Sequence, residues 1–389
     1  MNRRKSLTHA LLPVICGLAT VVLWVTAGPA DVRAQVETGE LQSTADYVYG
    51  QTLNFNLHAT DPDQLESAVL YFRLGNSPDS YSVDIPDVAG DASFSLDLTQ
   101  TRLPPYGTIT YWWEIESGGS TLRVREQIIR YVDDQFNWRQ LNITDDHAGG
   151  TITVYWTGDS ETLGEQASNI ILEMLPEIGG LIPLAQIIPF EVYIYPSTAD
   201  LGAALKLAGR DHSPGQTHPD LGVALVTVVN PQTAESELRQ GLSRSLVDLL
   251  LFQAFEQAAA DLAPWISQGV AGVVRGERDV RLEDTLASAL ELEATIPFSV
   301  LCSEAPANQD LAAAQSAAMV RYIVDSYGEG AMRSIVASQA NGESCAAALR
   351  QAVQLSPQQL EAAWLRAARS TEGSRDVAEI SVWLILVLA

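Results

Sequence analysis

The chain has 389 residues, of which 47% are hydrophobic and only 18% charged, and its formal net charge is −25. That length suffices for two domains with packed cores, and the composition excludes a disordered chain. With no Lys/Arg cluster to offset the acidity, a phosphate-bearing polymer would be repelled; no nucleic-acid partner is expected, and the exterior should be soluble and non-adhesive.

The N-terminus opens on a basic stretch, Asn2-Arg3-Arg4-Lys5, followed by an apolar run from Ala10 to Gly28 and a small-residue exit at Val32-Arg33-Ala34. This is the order of a secretory signal peptide. The run is also near the length of a spanning helix, so residues 1–34 are read as a signal peptide or an N-terminal anchor. Either reading gives an exported protein of the cell envelope or extracellular space. Cys16 follows Ile15 instead of a small residue, which suits lipid modification poorly.

Residues 38–134 alternate in short runs. Phe55-Asn56-Leu57-His58, Val69 to Leu74, Ser93 to Leu98 and Ile109 to Ile115 read as strands separated by Gly/Pro/Ser turns. Such spacing predicts an antiparallel β-sandwich of immunoglobulin or fibronectin type. Tyr111-Trp112-Trp113 is assigned to its core, and His58, with no partner in sequence, to a structural role.

From Gln135 to residue 370 the period changes. Strands are predicted at 151–156, 190–195 and 221–229, with helices from about Ser160 to Pro176 and from Thr198, as cap, to Ala208. Beyond Pro231 helices are predicted over about 235–257, 263–275, 282–293, 308–326, 329–340, 343–353 and 356–369. A small mixed sheet followed by helices makes one α+β domain. A polar linker, 371–379, then leads to an apolar tail, 380–389, which is either a membrane segment cut short or a greasy tail that packs on protein.

Beyond the leader only Cys302 and Cys345 remain. In an oxidising compartment they are expected to pair, closing a loop of roughly 40 residues that contributes about 3–4 kcal/mol, the alternative being two unpaired buried thiols.

The stretch from Ser236 to Glu277, SELRQGLSRSLVDLLLFQAFEQAAADLAPWISQGVAGVVRGE, carries the strongest signal. With Leu249 to Ala254 and Ala263-Pro264-Trp265-Ile266-Ser267-Gln268-Gly269-Val270-Ala271 as its frame, it resembles the active-site region of the peptidase MA-like family, a branch of the gluzincin zinc metallopeptidases. Tyr193-Ile194-Tyr195-Pro196 and His218-Pro219-Asp220 extend the resemblance upstream. It implies a gluzincin-like domain in which one helix carries H-E-x-x-H and a second opens on W-x-x-E-G. Carried over without gaps, the first histidine falls on Arg244, the glutamate base on Ser245, the second histidine on Asp248 and the third ligand on Gln268. All four have changed.

Zinc in such a site needs two neutral imidazoles, a carboxylate, an open position for water and a base beside it. Arg244 has no lone pair and a permanent positive charge, Ser245 cannot serve as a base near neutral pH, and Gln268 is a weak ligand. The expectation is therefore a degenerate member with no metal, zinc having been lost. Arg244 and Asp248, spaced i, i+4, are expected to form an ion pair in place of the metal, with Gln268 hydrogen-bonded nearby.

His212 and His218 are close in sequence but lack a third placed ligand, and are read as part of a polar loop beside the cleft. Gly241-Leu242-Ser243-Arg244-Ser245 lacks the last glycine of a nucleophile elbow. The expected function is binding of a peptide or protein partner in the former cleft, at or outside a membrane reached through the terminal apolar segments. An active zinc peptidase using His212, His218 and Asp248, and a purely structural envelope protein, remain as alternatives.

Overall fold

The computed structural model describes residues 35–36, 41–61, 65–75, 77–86, 88, 90–144, 150–213, 215–276, 279–304 and 306–369. The predicted leader 1–34, the linker 371–379 and the tail 380–389 lie outside them.

Nine strands build the N-terminal half: β1 (Gln35–Val36), β2 (Leu41–Val48), β3 (Thr52–Ala59), β4 (Ser67–Leu74), β5 (Tyr81–Ile85), β6 (Asp91–Asp97), β7 (Gly107–Ser117), β8 (Ser120–Val124) and β9 (Gln127–Tyr131). One sheet runs β1-β8-β7-β4-β5 with β9 also on β7, and the other runs β2-β3-β6. All pairs are antiparallel except β1 with β8. Strand alternation makes the β-sandwich: Leu53, Phe55 and Leu57 of β3 face Leu70 and Phe72 of β4 and Tyr111 and Trp113 of β7 across one core. Phe55 packs on Phe72 and Tyr111 with ring centres 5.4 and 5.0 Å away. Trp112, assigned to that core from sequence, points to the opposite face because neighbouring strand residues alternate. It is covered there by Tyr71, stacked at 5.4 Å, and by the Arg123 guanidinium at 4.6 Å.

The C-terminal half is built on a four-stranded sheet in the order β10 (Arg139–Thr144), β11 (Thr151–Trp156), β12 (Glu191–Tyr195) and β13 (Val223–Thr227). β10 is antiparallel to β11 and the remaining pairs are parallel, so the chain is α+β. Helices α1 (Thr162–Leu181) and α2 (Thr198–Leu207) make the crossovers. Then follow α3 (Ala234–Phe255), α4 (Pro264–Val274), α5 (Val280–Glu291), α6 (Phe298–Leu301), α7 (Gln309–Tyr327), α8 (Glu329–Ala340), α9 (Cys345–Val353) and a helical stretch over 357–369.

The apolar runs of β12 and β13 follow from burial on both faces. Val192, Ile194, Ala224 and Val226 join the core made with α1 and α3, whereas Tyr193, Tyr195 and Val223 join the core of the sandwich. The two halves thus share a layer. Trp138 stands edge-on to Tyr193 and Tyr195, with ring centres 5.2 and 5.1 Å away. The Tyr106 and Tyr195 hydroxyls meet at 2.5 Å, the Tyr195 hydroxyl donates to buried Asp133 at 3.1 Å, and Tyr49 donates to the Ala204 carbonyl. Burial pushes the Asp133 carboxyl above its usual range.

Three sequence expectations change. Helix α1 continues through Pro176 to Leu181, because Pro176 and Leu172, whose carbonyl loses its donor, both face solvent, where water replaces the bond. The cap of α2 is Ser197, not Thr198: the Ser197 Oγ accepts from the Asp200 N–H at 3.1 Å. Membrane attachment through an apolar segment is also withdrawn: among the described residues no helix is long and apolar enough to cross a membrane. Cys302 and Cys345 form the disulfide, with Cα atoms 5.7 Å apart, tying the end of α6 to the start of α9.

Candidate functional site

Helix α3 has two unlike faces. Leu238, Leu242, Leu246, Leu249 and Leu250 are buried against the sheet and neighbouring helices. Gln240, Arg244 and Asp248, spaced four apart, form a polar stripe that lines a cavity of about 410 Å³. The opposite wall is α4, which buries Trp265, Ile266 and Val270 and turns Ser267, Gln268 and Gly272 to the same cavity. Gly269 and Gly272 let α4 lie directly on α7. A Cβ at Gly269 would come within 2.5 Å of Val320 Cγ2 and 2.7 Å of the Ser316 carbonyl, and one at Gly272 within 2.6 Å of Ala317 Cβ.

A loop from α2 to β13 closes the third side and is latched to α3 twice. Arg244 Nη1 donates to the Gly215 carbonyl at 3.1 Å, and Thr217 Oγ1 donates to Asp248 Oδ2 at 2.6 Å. Gly215 is needed where it stands: its φ is +79°, and a Cβ there would sit 2.1 Å from Arg244 Nη1. The Asp248 carboxyl also bonds Ser267. Burial pushes it above the usual carboxylate range, against the lowering by Thr217, Arg244 and Ser267.

The four positions carried over from the resemblance therefore share one region but are engaged differently. Arg244 and Asp248 act on each other through the field, yet no direct ion pair joins them, because the Gly215 carbonyl and the Thr217 hydroxyl lie nearer to hand. Ser245 is buried, and its hydroxyl donates to the Leu225 carbonyl of β13 at 2.9 Å, a bond that ties α3 to the sheet. Gln268 lines the cavity, but its amide makes no hydrogen bond among the described residues.

His212 and His218 are brought together, with ring centres 5.8 Å apart. His212 Nδ1 and His218 Nε2 are buried without a hydrogen-bond partner among the described residues. Burial lowers both imidazoles below their ordinary value, helped at His218 by Arg210, so both are neutral at pH 7. Among the described residues no group of three or more His, Cys, Asp or Glu side chains could hold a metal, so His212, His218 and Asp248 do not assemble into a ligand set.

Sequence reasoning missed two cavity residues, Arg275 and Arg281. Arg275 pairs with Asp279 at 2.8 Å, and Arg281 pairs with Asp310. Arg275 could have been found: it stands seven residues after Gln268 and therefore on the same face of α4. Arg281 belongs to α5 and Asp310 to α7, and no spacing in the sequence joins them to α3.

A second cavity of about 340 Å³ abuts the first across Asp248 and Ser267. It is mainly apolar, with Leu251, Phe252, Ala259, Ala260, Leu262 and Ala263 in its wall, and Asp220 and Glu256 line it as well.

A family profile described as Peptidase MA superfamily matches residues 174–369, half of the chain. No curated protein matches. Among solved structures, similarity is found to a two-domain M1 zinc metallopeptidase variant bound to L-arginine, at 11% identity over 81% of this chain and 89% of that one, with a TM-score of 0.37. It extends to the M1 zinc metallopeptidase from Deinococcus radiodurans, at 11% identity, the same coverages and a TM-score of 0.35. A fibronectin type III domain of human collagen XX is similar at 10% identity over 25% of this chain and 96% of that one, with a TM-score of 0.20.

Proposed function

The chain belongs to the Peptidase MA superfamily, and from that premise we propose that it is a non-catalytic member that binds a peptide or protein partner in the cleft between α3, α4 and the Gly215–Thr217 loop. One observation carries the reading: a guanidinium, Arg244, stands where the resemblance calls for the first imidazole ligand, and it is bonded into the cleft wall at Gly215. A fixed cation offers no lone pair and repels a divalent ion.

The rest of the donor set fits zinc no better. Asp248 is already engaged by Thr217 and Ser267 with its proton affinity raised, and Gln268 is a neutral amide. Ser245 spends its hydroxyl on β13 and has no basic character to replace a glutamate. What remains is an open cavity with polar walls and an apolar neighbour, the form of a recognition site.

Export to an oxidising compartment is part of the proposal. It rests on the basic-then-apolar order of residues 1–34 and is supported by the Cys302–Cys345 bond. The test is metal analysis of the purified full chain together with cleavage of unfolded protein substrate. Trace zinc and no chelator-sensitive cleavage are expected; stoichiometric zinc with chelator-sensitive cleavage would overturn the reading.

A further inference from the structure

We propose that the cleft takes its ligand by a free carboxylate on Arg244, with the adjoining apolar side chain in the Phe252–Leu262 chamber: the ligand is a peptide C-terminus ending on a hydrophobic residue. This deepens the binding reading above and rests on it.

The charge arrangement is the first support. In a chain of net charge −25, three guanidinium groups, Arg244, Arg275 and Arg281, line one cavity. Two have a carboxylate in direct contact, Asp279 on Arg275 and Asp310 on Arg281. Arg244 has none among the described residues. Its bond is to a backbone carbonyl, which accepts a proton but brings no negative charge. One of its five N–H donors is thereby used, and the others bond to nothing among the described residues. Asp248, one turn away, is turned to Thr217 and Ser267. The cavity therefore keeps one preorganised fork that no carboxylate of the described residues contacts, although the field of Asp248 reaches it, and its planar geometry matches a carboxylate held through two parallel bonds.

The neutral lining narrows the ligand further. Gln216, Gln240, Gln268 and Gln309 offer amide donors and acceptors without charge, which suits a peptide backbone and does not compete for the anion. A multiply charged phosphate would have to pull Arg275 and Arg281 from their aspartates to be neutralised. A single carboxylate needs Arg244 alone. Beyond Asp248 and Ser267 the polar wall gives way to a mainly apolar chamber, in which Asp220 and Glu256 are the further charged residues, so carboxylate and hydrophobic side chain are received on adjacent surfaces, as the last residue of a peptide presents them.

The test uses the full chain and N-terminally fluorescein-labelled random hexapeptides ending in Leu, prepared once as free acids and once as C-terminal amides, read by fluorescence anisotropy. The free acids should bind at least about tenfold tighter than the amides, the loss expected when a charged hydrogen-bond partner is removed. Arg244→Gln should abolish that preference and Arg244→Lys should keep part of it, with unchanged circular dichroism and melting. Equal binding of acid and amide would overturn the carboxylate assignment while leaving a peptide-binding cleft. An acid preference that survives Arg244→Gln would also overturn it, since the anion would then sit elsewhere. Binding of neither pool would overturn both this assignment and the peptide reading beneath it.

Discussion

Two polar regions of the molecule are built from similar materials and end differently. At the junction of the sandwich and the α+β half, Asp133, Tyr49, Tyr106 and Tyr195 are buried, and their polar groups are closed on one another or on backbone. Aromatic rings of Phe136, Trp138 and Tyr193 fill the space around them. In the α3–α4 cleft, arginines, glutamines and an aspartate surround open volume, and Gln268 and most of Arg244 remain unengaged among the described residues. A saturated polar network holds parts of a protein together, whereas an unsaturated one with room beside it awaits a partner. The first region is mortar, and the second is the one we propose as a receptor.

The contrast can be broken by substitution. Tyr195→Ala should have the largest effect, since it removes a fully buried ring and leaves the Tyr106 hydroxyl and Asp133 Oδ2 without their partner; a loss of about 3–5 kcal/mol in denaturant unfolding is expected. Gly269→Ala comes next. Its methyl would press on the Ser316 backbone and Val320, so about 1–3 kcal/mol should be lost, and the cleft wall should shift with α4. Gly215→Ala should cost about 1 kcal/mol through its positive φ and, by displacing Arg244, weaken ligand binding although the arginine itself is retained. Arg244→Gln should change stability by less than about 1 kcal/mol, because it removes a single hydrogen bond at the cleft wall. If Arg244→Gln unfolded the protein as badly as Tyr195→Ala, the cleft would be mortar too.

The smallest expected effect is on pH dependence. Burial holds His212 and His218 below the ordinary histidine value of 6.5, so the unfolded chain takes up protons more readily. Their contribution is complete above 6.5 and is lost as pH falls through their lower folded values. Asp133 and Asp248 have the opposite sign. Their raised carboxyls favour the folded state below the ordinary 3.8, an advantage lost as pH rises through the folded values. Melting between about pH 7.5 and pH 5.5 should therefore show a shallow decline on acidification, which the double variant His212→Gln, His218→Gln flattens. An unchanged slope would remove the histidines from the account.

Local pattern made the helices of the α+β half legible, since the leucine stripe of α3 and the Trp265 to Ala271 phrase of α4 are periodic. Strand β10 was not legible, because Arg139-Gln140-Leu141-Asn142-Ile143-Thr144 buries only part of one face and reads as polar. Nor was the sharing of β12 between two cores: alternation in Tyr193-Ile194-Tyr195 says that both faces are covered, not by what. At the site, the i, i+4 spacing of Arg244 and Asp248 placed them on one face correctly. It could not show that Gly215 and Thr217, about thirty residues away, outbid each residue for the other. Arg281 joined the cavity only through the packing of α5 on α7, where its ion pair with Asp310 is formed.

The central claim is that the cleft repels a divalent cation because a fixed charge occupies the position of a ligand. It is tested most directly by calorimetric titration of the full chain with zinc, in parallel with the Asp248→Asn variant. The account predicts no stoichiometric, saturable uptake in either protein. One zinc bound per chain and lost in Asp248→Asn would contradict it.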